Sequence, residues 1–208
     1  MKLNKLSSVV GGVLLVAAAA FSSSAFADSA IGAGGAPNTA QARLDFTITI
    51  PKVLQFRVGT AAAGTIDAIT FTPTAAVIGN STPVAGAGGD LAGGAVTAKV
   101  TANSGQVTIN AATGGALSDA AVPTPHTIPW SQVTTTAAVL TSATALAAPV
   151  IPLTGTGANV NAPVPVAGVT VADAKWTYAY ANTTVPAAGI YGGTVAKFGR
   201  VTYTASAP

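Results

Sequence analysis

Apolar and polar side chains alternate with a period of two through much of this 208-residue chain, after one continuous apolar run near its beginning. The run, Val9–Ala20, carries no charge and follows two lysines in the first five residues. Small residues at the −3 and −1 positions of Ser24–Ala27 complete the pattern of a secretory signal peptide cleaved before Asp28. An uncleaved N-terminal anchor is the alternative, although the run is short for a membrane span.

The clearest strand pattern of the exported part spans Leu44–Ile50, where apolar β-formers alternate with polar residues. The side chains predicted to share the apolar face are Leu44, Phe46, Ile48 and Ile50. Residues 28–41 before this segment are small and glycine-rich, and we expect them to form a flexible leader. Pro51 after it cannot donate to a strand ladder and predicts a bend, a bulge or a sheet edge.

Further short alternating segments follow, each bounded by turn-forming residues. They are, in chain order, 54–58, 65–73, 96–101, 107–111, 166–171, 175–180, 190–196 and 200–205. The turn Asn103–Gly105 predicts that 96–101 and 107–111 form a hairpin, because Asn and Gly tolerate positive φ. Residues 130–148 fit either a strand or a short helix, and we favour a strand from the context.

Short strands at regular spacing predict an all-β chain folded as an antiparallel β-sandwich. The expected organisation is a signal peptide in 1–27, a leader with a candidate extension strand in 28–50, and one sandwich domain in 51–208. Removal of residues 1–27 leaves 181 residues, enough for a sizeable core without disulfides, and the chain has no cysteine.

Charge is scarce, at 7% of residues against about 25% in soluble domains. The exported part has seven Lys and Arg against six Asp, a net charge of +1, with no basic cluster. A nucleic-acid surface and an anionic-membrane surface are therefore not predicted. A surface with so little charge repulsion is typical of a subunit that packs against copies of itself.

Candidate chemistry is sparse. His126 is the only histidine and lies in a loop, and no G-x-S-x-G elbow accompanies it, so we do not expect an enzyme. The aspartates are scattered, with no calcium-loop spacing, and the glycines at 86–94 form no phosphate loop. We expect no metal and no cofactor.

Two patterns admit a second interpretation. Trp176, Tyr178 and Tyr180 share one face of the 175–180 strand and form either part of the core or a sugar-stacking ligand face. Asn80 and Asn182 each begin an N-glycosylation pattern, and the simpler interpretation is that both are turn asparagines.

The segment Pro186–Val195, followed by Val201–Thr204, resembles the C-terminal strands of bacterial fimbrial subunits of the common-pilus and chaperone–usher kind. The leader and alternating strand at the N-terminus are also similar to such subunits. The resemblance implies an incomplete Ig-like sandwich whose missing strand is supplied by the N-terminal extension of the next subunit, which is donor-strand exchange. The donor strand would be Arg43–Ile50; the alternative is that it is the first strand of its own domain.

The resemblance further implies that the partners are copies of the chain itself, a periplasmic chaperone and an outer-membrane usher. Two features depart from the classical subunit, which has a disulfide and a chaperone-recognition signature that ends in a penultimate Tyr. This chain has no cysteine, and five residues follow Tyr203. The second departure leaves open the alternative of a surface fibre that assembles without that chaperone. We therefore expect a secreted, non-enzymatic subunit of a cell-surface filament for adhesion or biofilm. The rival hypothesis is a monomeric secreted or envelope β-sandwich that binds carbohydrate or another surface ligand through the Trp176 face.

Overall fold

The computed structural model describes residues 31–35 and 38–208, so the predicted signal peptide lies outside the described residues. The chain divides into two units, Met1–Ile50 and Pro51–Pro208. The described residues of the first unit contain no helix and no strand.

The second unit is built from strands. In chain order they are β1 (Leu54–Val58), β2 (Ile69–Thr70), β3 (Val84–Ala85), β4 (Ala87–Gly88), β5 (Ala95–Ala102), β6 (Thr108–Thr113), β7 (Leu117–Ser118), β8 (Thr127–Ile128), β9 (Val133–Ala138), β10 (Gly155–Thr156), β11 (Val160–Asn161), β12 (Thr170–Tyr180) and β13 (Val201–Ser206). Two single-turn 3₁₀ helices occur in the described part, Trp130–Gln132 and Val195–Lys197.

All strand pairing is antiparallel and is divided between two main sheets. In the first sheet β5 lies between β1 and β12, and β12 pairs on its other side with β9. The short β3 also pairs with β12, at its end. In the second sheet β6 is central, with β13 on one side and β10 and β11 on the other. Two small ladders, β2–β4 and β7–β8, lie outside these sheets.

The core lies between the two main sheets. Alternate side chains of β5 and β6 point inward and are fully buried, as at Val100 and Ile109. The longest strand, β12, contributes Trp176, whose ring packs against that of Tyr203 of the other sheet in a tilted arrangement, with ring centroids 5.3 Å apart. The period-two pattern therefore places one apolar face of each sheet in a shared interior, and the prediction of an all-β antiparallel sandwich is confirmed. Its Ig-like topology stays a prediction.

The predicted hairpin at Asn103–Gly105 is wrong, because β5 and β6 lie in different sheets. Asn103 instead binds the backbone before β1: its Nδ2 donates to Pro51 O at 2.8 Å and its Oδ1 accepts from Val53 N at 2.7 Å. Gly105 N donates to Gly168 O. Because these groups are used outside the turn, the link crosses the sandwich instead of closing a ladder.

Several other predicted strands are shorter than expected or missing. Only Ile69–Thr70 of the 65–73 segment is a strand, and β12 begins at Thr170 because 166–169 forms a tight turn. No strand occurs in 190–196. The preference for a strand in 130–148 is correct for Val133–Ala138, and residues 139–148 are neither helix nor strand.

Candidate assembly site

The predicted donor segment, Arg43–Ile50, is not in a strand. The structure therefore does not show the alternative, in which this segment is the first strand of its own domain. Its four apolar side chains are exposed, at 64% for Leu44, 84% for Phe46, 85% for Ile48 and 75% for Ile50. Four large apolar side chains at every second position, all in water, form an unpartnered strand-like pattern.

One side of the sandwich has two free strand edges next to each other. β1 ends the first sheet, β13 ends the second, and the two strands approach each other. Among the described residues, no strand pairs with the outer edge of either. We call this the open side. Each edge presents backbone N–H and C=O groups that an added strand could bind.

The interior is incompletely covered on the open side. Inward side chains of the central strands are fully buried, whereas those of the edge strands are only partly buried although they pack on the core. On the open side these partly buried side chains are Phe56 and Val58 of β1, Val201, Tyr203 and Ala205 of β13, and Ala207 after it. They form an apolar floor between the two edges, which is the kind of surface that alternate side chains of an added strand would cover.

Tyr203 links this floor to the core. Its hydroxyl lies 2.9 Å from the Tyr178 hydroxyl, so each oxygen has a hydrogen-bond partner in the interior. Burial raises the pKa of Tyr203 well above its usual value and also raises that of Tyr178. Both phenols are therefore neutral at physiological pH, and their role is to connect the two sheets.

The opposite side of the sandwich is covered by residues 139–153, which cross from β9 to β10. We call this the covered side. Leu146 and Ile151 of this segment are buried in the core, and Trp176 Nε1 donates to Leu146 O at 2.7 Å. Thr113 Oγ1 of the second sheet donates to Pro152 O at 3.1 Å. The segment is thereby bound to both sheets.

Asp173 of β12 holds the beginning of this segment. Its Oδ1 accepts from the backbone N–H groups of Thr141 and Ser142, each at 2.9 Å, and the Thr141 hydroxyl donates to Oδ2. Ser142 Oγ accepts from Asp173 N at 2.8 Å. The hydrogen bond from the Thr141 hydroxyl is the largest cause that lowers the pKa of Asp173 well below its usual range. The carboxylate is a structural clamp of the covered side.

The candidate ligand face of Trp176, Tyr178 and Tyr180 is part of the core. The three side chains are 0%, 7% and 6% exposed. Tyr180 packs on Phe71, with ring centroids 6.3 Å apart. A buried stripe offers no platform on which a sugar ring could stack, so the rival hypothesis of a binding module cannot use these residues.

His126 lies in the β7–β8 loop with its Nδ1 2.7 Å from Asp119 Oδ2. Asp119 also accepts from the N–H groups of Ala121 and His126, and the Ala121 hydrogen bond is the largest cause that lowers its pKa to about 2. The hydroxyl of Ser118 accepts from Ala120 N and is not bound to the imidazole. The pair therefore closes the β7–β8 loop.

Two turn asparagines have local structural roles. Asn182 is fully buried at a positive φ, where its Oδ1 accepts from Gly79 N and its Nδ2 donates to Val77 O. Asn80 Oδ1 accepts from Thr82 N in an Asx turn. The sequence indicates a turn at Asn182 but not its buried contacts with residues about a hundred positions away.

Within residues 31–35 and 38–208, no group of three or more His, Cys, Asp or Glu side chains could hold a metal ion. In the same residues no helix has the length and apolar character needed to cross a bilayer. Comparisons of the chain with protein-family models, with curated proteins and with solved structures find no match.

Proposed function

We propose that this chain is the structural subunit of an extracellular filament and that consecutive copies join by donor-strand exchange. The observation that carries the proposal is that the same chain has one strand-like segment without a partner strand and one side of the sandwich that lacks a strand. We call the first the surplus and the second the deficit. The surplus is Arg43–Ile50, whose alternating apolar side chains are exposed. The deficit is the open side, where two free edges flank a partly covered apolar floor.

The two features correspond in length and pattern. Leu44–Ile50 offers an apolar residue at every second position, and the six residues of β13 present inward apolar side chains with the same period of two. A donated strand binds through backbone hydrogen bonds to an edge, and its alternate side chains enter the space between the sheets. The same segment from the next copy would complete each sandwich.

The expected gain in free energy is large enough for a durable joint. Burial of an apolar side chain of this size contributes about 1.5–3 kcal/mol, so the four side chains contribute on the order of 10 kcal/mol before the cost of ordering the segment. Because each copy donates in one place and accepts in another, the contact is head-to-tail and does not close, so it grows a fibre.

The proposed setting follows from the signal-peptide pattern and the fimbrial resemblance. The chain is exported and acts on the bacterial surface, in adhesion or biofilm. Before assembly, the apolar floor of the open side has to be covered by another protein. The proposed partners for that stage are a periplasmic chaperone and an outer-membrane usher. The low charge of the surface favours packing between copies.

The test is to place a charge on the apolar face of the donor segment in the full-length chain. Phe46→Asp and Ile48→Asp should each abolish filaments and leave an exported monomer, because a carboxylate would have to enter an apolar groove. Material sheared from expressing cells is inspected by negative-stain electron microscopy, and its chains are identified by mass spectrometry.

The matched control is Thr47→Asp, which introduces the same charge on the opposite face of the same segment. This variant should still form filaments. Normal filaments from Phe46→Asp would rule out Arg43–Ile50 as the donor, and a wild-type chain that stays monomeric at the cell surface would rule out the filament itself.

A further inference from the structure

The outer face of the first sheet carries a compact polar cluster around a shallow cavity of about 190 Å³. Gln55 lies directly opposite Thr101, and Arg57 lies directly opposite Lys99, at neighbouring outward positions of β1 and β5. Ala61, from the loop after β1, completes the lining. We call the four polar side chains the cation square. This surface faces away from the core and is separate from the floor of the open side.

The cation square places two like charges in register across an antiparallel pair. Direct cross-strand partners have Cβ atoms about 5 Å apart, and like charges at that distance repel. Within the part of the chain that the structure describes, neither the Arg57 nor the Lys99 side chain makes a hydrogen bond or an ion pair. A like-charge pair in register, with no ion pair to either side chain and beside a cavity, departs from the usual sheet rules in the way that binding sites do.

The carboxylates that could neutralise these cations are engaged elsewhere. All four aspartates of residues 51–208 accept hydrogen bonds from backbone N–H groups, and none lies within 4.0 Å of a lysine or arginine nitrogen. They are Asp67 (from Thr60 N), Asp90 (from Thr97 N), Asp119 (from Ala121 N and His126 N) and Asp173 (from Thr141 N and Ser142 N).

Of the four aspartates, Asp173 is the one that shares a row of the first sheet with Lys99 and Arg57. It lies opposite Lys99 on the other side of β5, in the same row of the sheet as Arg57. Its carboxylate is held by the covered-side segment and does not form an ion pair with Lys99. The row therefore keeps an excess of positive charge at the cavity.

We infer that the cation square binds an anionic sugar unit of a polysaccharide, with its carboxylate or sulfate group between Arg57 and Lys99. A guanidinium fork and an ammonium group together satisfy the oxygens of one oxyanion. The Gln55 amide and the Thr101 hydroxyl both donate and accept, which suits the hydroxyl groups of a sugar ring. The lining has no aromatic side chain on which a nucleic-acid base could stack.

This inference does not depend on how the subunits assemble, and the test keeps the two apart. The purified full-length protein is titrated with polygalacturonate and with heparin, which carry carboxylate and sulfate groups, and with neutral dextran. Free sulfate and free galacturonate are titrated separately to distinguish a bound sugar unit from a bound inorganic anion. Each variant is also inspected for filaments by electron microscopy.

Arg57→Gln and Lys99→Gln should each weaken binding of the acidic polysaccharides by about tenfold or more, as expected for the loss of a charge-assisted hydrogen bond. The matched control is Lys175→Gln, which removes the same charge from the same sheet outside the cavity and should change the affinity less than about twofold. Dextran should not bind. All three variants should still form whatever assembly the wild type forms.

A second readout is thermal stability with ligand. Galacturonate should raise the melting temperature of the wild type and of Lys175→Gln more than that of Lys99→Gln, because only Lys99→Gln has lost a group that binds the ligand. Equal losses of affinity in Lys175→Gln and Lys99→Gln would overturn the inference in favour of general attraction to a basic protein. Free sulfate that binds as well as galacturonate would overturn the sugar assignment.

Discussion

The two sides of the sandwich differ in what covers them. On the covered side, residues 139–153 bring Leu146 and Ile151 into the core and are held by Asp173. On the open side, the inward side chains of β1 and β13 are only partly buried, and both strand edges are free. The chain completes one side by its own connection, and we propose that another copy completes the other side.

The largest expected effect is a core deletion on the covered side. Leu146→Ala should lower the free energy of unfolding by about 2–5 kcal/mol, because Leu146 is fully buried and its removal leaves a cavity. Val201→Ala on the open side should cost the monomer less than about 1.5 kcal/mol, since Val201 is only partly buried.

Chemical denaturation of a Phe46→Asp monomer background measures both changes without interference from polymerisation. Leu140→Ala is the matched control for Leu146, because it makes the same substitution in the same segment at an exposed position. Equal losses at positions 146 and 201 would mean that the two sides are equally well packed.

The next effect concerns the carboxylate clamp. Asp173→Asn should lower stability at pH 7 by about 1–3 kcal/mol, because it weakens the hydrogen bonds from Thr141 and Ser142. The pKa of Asp173 is lower in the folded than in the unfolded state, so the stability it contributes is present above about pH 4 and is lost as the pH falls toward the folded value.

Unfolding free energies of the wild type and Asp173→Asn, measured between pH 7 and pH 2, give the check. The difference between the two proteins should shrink as the pH falls below about 4. A difference that stays constant with pH would mean that the ionised carboxylate is not what holds residues 141–142.

The smallest effect concerns the link between the open side and the core. Tyr203→Phe should lower stability by about 1 kcal/mol, because it leaves the Tyr178 hydroxyl without its partner in the interior. Tyr191→Phe, which removes an exposed hydroxyl bonded to Ala187 O, should change stability by less than about 0.5 kcal/mol. Thermal denaturation of both variants measures the two changes. Equal losses of stability would mean that the hydrogen bond between Tyr178 and Tyr203 contributes no more than an exposed one.

The period-two pattern predicted the strands that a single segment specifies by itself. β5, the aromatic half of β12 and β13 all lie where apolar and polar residues alternate. The same pattern predicts a strand at Leu44–Ile50, but the segment is not in a strand within the monomer. Alternation reports which face of a strand prefers burial, and it does not report which chain supplies the partner.

Pairing and long-range contacts could not be predicted in this way. The turn residues at Asn103–Gly105 fit a hairpin, but the Asn103 amide binds the backbone of residues 51 and 53, and the two strands separate into different sheets. The cation square could not be predicted from the sequence for a related reason. Arg57 and Lys99 are 42 positions apart, and only the register of β1 on β5 brings them together.

The contact between the Trp176 and Tyr203 rings has an experimental consequence. Because the Trp176 indole is fully buried against a residue of β13, its fluorescence emission depends on the surroundings of that strand. If a neighbouring copy fills the open side, the surroundings of Tyr203 become drier and more rigid, and the emission of Trp176 should respond while assembly proceeds. With Trp130, the other tryptophan of the chain, replaced by phenylalanine, the proposed growth of a fibre could be followed in solution without any attached dye.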